Sequence, residues 1–352
     1  MPAIFRALAA GAPCKRRKTV IRYKKQELGE RSMEANVKVW VKAPCEAAVR
    51  DELLARFGAA CSFRFAEDEG AFAPEQAQVV IGEPDREELL AAENLRWVQL
   101  TWAGVDRYVP MQDALRGAVL TNASGAFGGI IAEYAVGAII ALYRGFPQYW
   151  DNQKRRIWEQ QDRARTIFGT HALLLGTGDL GRNLARRLRA LGADVTGVRR
   201  SAGAALADFD RVCSLSELDE LLPQADIVVG CLPDTPETRG LLTCARLRAM
   251  KPDAVFVNVG RGSLAATEDL VSVLQSGHLL GAALDVLDEE PLPENSPLWA
   301  LENVILTPHI AGPSFGGNRD VQDAIWGICM ENLARYLRGE RLKNVVDLAK
   351  GY

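Results

Sequence analysis

The sequence predicts an α/β protein of doubly wound parallel sheets, and three observations carry that expectation. Leu173, Leu174 and Leu175 run straight into Gly176-x-Gly178-x-x-Gly181, a helix-like stretch follows, and Ala193 to Val198 is strand-like again, which makes a β-turn-α-β unit. Short apolar runs alternate with helical stretches on both sides of that unit. The most distinctive polar residues, Arg261, Asp285, Glu290 and His309, fall at or just beyond the carboxyl ends of such runs, where open α/β sheets bind their ligands.

In chain order, Val37, Val39 and Val41 alternate with Lys38 and Lys42, the period of a half-buried strand, and a helix with Leu53, Leu54 and Phe57 on one face follows. Gln78 to Gly82 is a strand leading into Pro84-Asp85, a turn and helix start with Glu87 and Glu88 in its first turn. Arg96 to Leu100 is a third strand, ending at Thr101-Trp102-Ala103-Gly104-Val105-Asp106, where bare backbone at Ala103-Gly104 can approach a ligand or merely turn. Ala118 to Thr121 closes this module, and Gly125, Gly128 and Gly129 suggest a hinge. The apolar helix Ile130 to Tyr143 needs burial nearly all round, inside one domain or against a second subunit. Beyond Gly181 the expected strands are Ile227 to Cys231, Ala254 to Val259, Gly281 to Leu287 and Val304 to Leu306.

Composition bounds the function. The 352 residues are 48% hydrophobic and 25% charged, sufficient for two globular domains. Residues 1–32 carry nine Lys/Arg against two Asp/Glu, so the rest is more acidic than the net charge of −3 suggests, which argues against nucleic acid as a partner. That segment fits either a targeting sequence or an unstructured extension upstream of a start at Met33, and it lacks the apolar stretch of a secretory signal. No run is long enough to span a membrane; the longest, Ile130 to Tyr143, is interrupted by Glu133. Seven cysteines without CxxC or metal-ligand spacing fit reduced thiols in the cytoplasm and no metal site.

The glycines have separate jobs: a tight turn at Gly176, close approach of backbone to a pyrophosphate at Gly178, and close helix packing at Gly181. The N–H groups of the helix starting near Asp179 and Leu180 would face that pyrophosphate. The residue that would accept the adenosine ribose hydroxyls of NAD is acidic as a rule; here Arg199, Arg200 and Ser201 stand there. A guanidinium fork suits a ribose phosphate, so the cofactor expected is NADP(H), with NAD(H) as the alternative. Reducing a ketone requires a proton donor at the forming alkoxide, and of three histidines only His309 lies just beyond the carboxyl end of a strand. Glu290 could hold its imidazole and favour the cationic form, unless the acidic loop is merely solvated. Arg261, between two glycines, could bind a substrate carboxylate and polarise its neighbouring carbonyl. Trp102 and Trp299 are either pocket walls or core.

From about Met33 to Tyr352 these residues resemble the D-isomer-specific 2-hydroxyacid dehydrogenases, on the motifs GTGDLG, LPDTPET, MKPDAVFVNVGRG, GAALDVLDEEPLP, NVILTPHIAG and NVVDLAKGY. The resemblance implies two Rossmann-like domains: a discontinuous substrate domain, 33–126 with 311–352, and an inserted NAD(P)-binding domain, 127–310, in a homodimer joined through the helical arm after the hinge. It carries catalytic roles onto Arg261, Glu290 and His309. It also places Asp285 at the nicotinamide carboxamide, Leu232, Pro233, Val259, Gly260 and Gly312 along the cofactor, and the Ala103-Gly104-Val105 backbone at the substrate carboxylate. Arg199 departs from the family's acidic residue and makes the chain look like the NADPH-using glyoxylate/hydroxypyruvate reductases. Ala266 stands where an acidic residue is usual, with Thr267 expected to cap the next helix ahead of Glu268 and Asp269. Glu290 in place of glutamine argues against formate oxidation. The implied reaction is reduction of small 2-oxo acids to D-2-hydroxy acids. The alternatives are a nucleotide-sensing corepressor-like module, D-lactate dehydrogenase, and D-3-phosphoglycerate dehydrogenase, which usually carries a further regulatory domain.

Overall fold

The computed structural model describes residues 36–66, 72–160, 164–201 and 203–352. The basic segment 1–32, with both readings attached to it, lies outside the described residues.

Two parallel sheets organise the chain. In the first, β1 (Val37–Val41), β2 (Cys61–Phe65), β3 (Val79–Ile81), β4 (Trp97–Gln99) and β5 (Val119–Thr121) lie in the order β2-β1-β3-β4-β5. In the second, β6 (His171–Leu175), β7 (Asp194–Arg199), β8 (Arg211–Ser214), β9 (Ile227–Gly230), β10 (Val255–Asn258), β11 (Gly281–Leu284) and β12 (Val304–Leu306) lie in the order β12-β11-β10-β9-β6-β7-β8. The order reverses between β6 and β9, so their carboxyl ends form a crevice.

Alternation within each strand explains why the second sheet is covered twice. Leu173, Leu175, Val228, Phe256 and Leu284 face one core, with α7 (Cys244–Ala249), α8 (Thr267–Gln275) and the short α6 (Leu218–Leu221). Ala172, Leu174, Val229, Val257 and Ala283 face the other, where Leu184 and Leu188 of α5 (Asp179–Ala190) meet Ala135 and Ile139 of α3 (Gly128–Tyr143). The first sheet is covered by α1 (Ala47–Phe57) and α9 (Arg319–Leu337) on one side and by α2 (Arg86–Ala91) with Tyr108 and Leu115 on the other. Ile325 and Leu333 of α9 are fully buried there, each contributing roughly 1.5–3 kcal/mol, so the last long helix returns the chain to the sheet on which it began.

Three expectations change. β1 is a central strand buried on both faces, because Trp40 packs beneath α2 while Val39 and Val41 pack beneath α1 and α9. Gly128 and Gly129 lie in the first turn of α3, where the Gly128 N–H donates to Asp179 Oδ2 at 3.0 Å, and Gly125 stands in the turn before it with φ 103°. β11 stops at Leu284, where the Asp285 N–H donates back to Asn258 O at 3.1 Å. Thr267 is the first residue of α8 and not its cap; the Asp288 carboxylate accepts both its N–H, at 2.9 Å, and its hydroxyl. After α3 the chain bends 65° into α4 (Phe146–Arg155), and among the described residues no single helix is long and apolar enough to cross a membrane.

Candidate active site

Carboxyl ends of strands from both sheets converge on a cleft of about 670 Å³. Its lining includes Trp102, Ala103, Gly104 and Asp106 after β4, Phe127 and Ile131 at the start of α3, Val259 and Arg261 after β10, Asp285 after β11, and His309 and Gly312 after β12.

Arg261 is fixed from three sides. Its Nε donates to Asp106 Oδ2 at 2.6 Å and its Nη1 to Gly260 O at 2.8 Å. Gly104 lies against the guanidinium: a Cβ there would overlap Nη2 and come within 3.1 Å of Cζ. Val105 turns its side chain into the core, while Ala103 and Gly104 face the cleft and Ala103 O accepts from Asn122 Nδ2 at 2.8 Å. Asp106 was not singled out in the sequence; its carboxylate next to the Ala-Gly turn was the available signal.

His309 has its Nδ1 3.0 Å from Glu290 Oε2, and Glu290 Oε1 accepts the Leu287 N–H at 2.9 Å. The carboxylate is therefore held by backbone on one oxygen and faces the imidazole with the other. His309 adopts a left-handed φ of 55°, which its tight loop imposes. Asp285 supports that loop: Oδ1 accepts from Thr307 Oγ1 at 2.6 Å and the Ile310 N–H at 2.9 Å, and Oδ2 accepts the Ala311 N–H at 3.0 Å. The other histidines serve elsewhere, His171 between Gln224 O and Thr196 Oγ1, and His278 on Met250 O.

The glycine turn fits a dinucleotide. Gly176 has φ 122°, and a Cβ on it would stand 2.7 Å from Cys231 O, so the loops after β6 and β9 touch at the strand-order reversal. A Cβ on Gly181 would overlap the Gly176 carbonyl oxygen, whereas nothing lies within 4 Å of one on Gly178, which leaves open space over the start of α5. Asp179 turns its carboxylate aside, Oδ1 accepting from Asn183 Nδ2 at 3.0 Å and Oδ2 from the Gly128 N–H, and the partly buried Leu180 packs against the core below. Burial pushes the neighbouring Cys231 thiol up to about 12 and keeps it protonated. Leu232 backbone packs on Gly260, with its O 2.8 Å from a Cβ position there, and Pro233 O accepts from Thr238 Oγ1 at 2.7 Å. The next residue, Asp234, accepts from Arg239 and from Ser263 Oγ at 2.9 Å; the Arg239 bonds hold its carboxyl below the usual range.

At the end of β7, Arg199 Nε donates to Ser201 O at 3.0 Å, which leaves its Nη groups without a described acceptor. Arg200 pairs with Glu237 at 3.3 Å. Of the two tryptophans, Trp102 lines the cleft; Trp299 is neither pocket nor core, being 58% exposed with its Nε1 donating to Pro293 O at 2.9 Å.

A nucleotide cradle opening beside a guanidinium and a carboxylate-held imidazole suits hydride exchange with a carbonyl, the work of a nicotinamide-dependent oxidoreductase. Comparison with known proteins gives the family. Residues 136–311 match the profile described as D-isomer specific 2-hydroxyacid dehydrogenase, NAD binding domain. Glyoxylate/hydroxypyruvate reductase A of Photorhabdus laumondii is 30% identical over 281 residues, 76% of this chain and 85% of that protein. D-3-phosphoglycerate dehydrogenase of Methanocaldococcus jannaschii is 30% identical over 264 residues, 75% of this chain, which spans only 49% of that protein. A D-isomer specific 2-hydroxyacid dehydrogenase of Xanthobacter autotrophicus, solved in complex with NADPH and MES, superposes with a TM-score of 0.77 at 31% identity, covering 90% of this chain and 100% of that one. The chain belongs to the D-isomer specific 2-hydroxyacid dehydrogenases, oxidoreductases that use NAD(P) and act on small hydroxy or oxo acids.

Proposed function

We propose that this enzyme reduces small 2-oxo acids of the glyoxylate/hydroxypyruvate type to D-2-hydroxy acids with NADPH. The observation that carries the reading is the meeting of Arg261 and the His309–Glu290 pair in one cleft with the bare Ala103-Gly104 backbone, while Arg199 stands at the end of β7. The relative from Photorhabdus laumondii named for glyoxylate and hydroxypyruvate supports the substrate class, and the NADPH complex of the Xanthobacter autotrophicus protein supports the cofactor.

When bound, the reduced nicotinamide supplies a hydride to the substrate's carbonyl carbon. Arg261, with Nε and one Nη1 proton committed, keeps Nη2 for the substrate carboxylate and carbonyl oxygen. Glu290 accepts from Nδ1 of His309, which makes Nε2 the nitrogen that hands its proton to the forming alkoxide; the imidazole then remains neutral with Nδ1 still protonated. Asp285 holds the loop that presents the imidazole, and Asp179 and Gly178 leave the start of α5 open to the pyrophosphate.

Incubating the protein with reduced nucleotide and a panel of 2-oxo acids, followed by chiral analysis, tests the reading. D-2-hydroxy acid formed from hydroxypyruvate and glyoxylate's reduction to glycolate support it. Nucleotide binding without turnover of any panel member would transfer the assignment to a nucleotide-sensing protein. We also infer a homodimer joined through α3 and α4, since Ile140, Phe146 and Trp150 expose apolar surface along that arm; sedimentation equilibrium at the monomer mass would refute it.

A further inference from the structure

Residues 345–352 leave the first sheet and reach the second. Val345 bridges Thr121 and the Val346 N–H donates to Leu120 O at 2.9 Å, which ties the segment to β5. The chain then closes a compact turn: the Lys350 and Gly351 N–H groups each donate to Asp347 O at 2.9 Å, and the Asp347 N–H donates to Tyr352 O at 3.0 Å. This turn rests on the loops that flank the adenosine side of the cofactor cleft. A Cβ on Gly351 would be 3.5 Å from Asp234 O, and the Arg200 guanidinium lies 5.5 Å from the centre of the Tyr352 ring. Lys350 is salt-bridged to Asp347 at 2.6 Å, and that bond raises its pKa while nearby Arg200 lowers it, as two neighbouring cations must.

Charge gives the arrangement its meaning. Glu237 pairs with Arg200 and Asp347 with Lys350, while the Nη groups of Arg199 have no described acceptor. An unengaged guanidinium at the turn after β7 suits a ribose 2′-phosphate, which it can hold bidentately. We propose that Lys350 and Tyr352 are part of the cofactor site: the Tyr352 ring fixes the Arg200 guanidinium, and Lys350 joins Arg199 in receiving the 2′-phosphate of NADPH. The proposal rests on the NADPH reading above.

Equilibrium fluorescence titration of the full chain with NADPH and with NADH, without substrate, tests it. Tyr352→Ala should weaken NADPH binding about 2- to 5-fold, the range of an exposed cation–π contact, and Lys350→Ala by roughly 3-fold with a shallower salt dependence; neither should change NADH binding. Tyr352→Phe should restore wild-type NADPH affinity, and the unliganded melting temperature should stay put in all three. Arg199→Ala separates the two claims. If it removes the NADPH preference while the Lys350 and Tyr352 variants bind both nucleotides like wild type, the proposal is overturned and the cofactor reading stands. If wild type prefers NADH, or Arg199→Ala leaves the preference intact, both fall together.

Discussion

Replacing Gly104 with Ala tests whether the placement of the Arg261 guanidinium decides catalysis. The new methyl group would overlap Nη2 and approach Cζ to 3.1 Å and Asp106 Oδ2 to 3.3 Å. The overlapped atom is the end of a flexible side chain and Gly104 has no left-handed φ, so the backbone can accept alanine and the guanidinium yields. It must swing by on the order of 1 Å, a displacement that costs about 10²-fold when the moved group positions a reacting carbonyl. That corresponds to roughly 2.7 kcal/mol of transition-state stabilisation. The same substitution stiffens the unfolded chain by about 0.4–1 kcal/mol, which offsets the local repacking and keeps Tm within about 3 °C of wild type. Steady-state kinetics with hydroxypyruvate, a thermal melt and an NADPH titration together make the assay. A Gly104→Ala enzyme with wild-type kcat/KM refutes the placement of Arg261 over this turn, and one that fails to fold refutes the claim that only a side-chain tip stands in the way.

Three further perturbations probe the neighbouring groups. Asp106→Ala removes the 2.6 Å bond to Arg261 Nε; because both side chains are about a third exposed, the expected loss is about 1 kcal/mol, a roughly 5-fold fall in kcat/KM at unchanged NADPH affinity. His309→Gln should lower kcat by about 10²- to 10⁴-fold and leave the NADPH dissociation constant within error, so an unaltered kcat would remove His309 from proton transfer. Burial raises the pKa of Glu83, against the opposing hydrogen bonds from Thr101, so the folded state favours its neutral acid. That group's contribution to stability is complete below its unfolded-state pKa and is lost as pH rises through the raised folded value. Glu83→Gln keeps an acceptor for Thr101 without the charge, so its urea midpoint should gain on wild type as pH rises above the usual carboxylate range; a pH-independent difference contradicts the assignment.

The elements that were legible in the sequence are those whose own residues decide them. β6, the glycine turn and α5 could be read because Leu173 to Leu175 meet a glycine spacing that only a tight turn satisfies, and the structure repays each glycine with a specific close approach or open space. β8 was missed because RVCS is a short edge strand without alternation, whereas β2 was missed although CSFRF alternates apolar and polar residues over its whole length. α9 was not assigned although its signals are present, with Asn318 capping the Val321 N–H and Val321, Ile325, Cys329 and Leu333 repeating along one buried face. Exposure of β1 was misjudged because lysines at its margins say nothing about Trp40, whose burial depends on a helix and loop far along the chain. Asp106 escaped for the same reason: its partner Arg261 is 155 residues away, and only the approach of the two sheets joins them.

The proposed NADPH-dependent reduction of 2-oxo acids depends on the arginine turn after β7. Measuring kcat/KM for hydroxypyruvate with NADPH and with NADH, by loss of reduced-nucleotide absorbance at matched ionic strength, tests it most directly. A ratio of at least about 10 in favour of NADPH, the worth of one bidentate guanidinium–phosphate contact, is the predicted result. A ratio at or below one would leave a D-2-hydroxyacid dehydrogenase whose Arg199 and Arg200 are solvated surface charges, and would contradict the account.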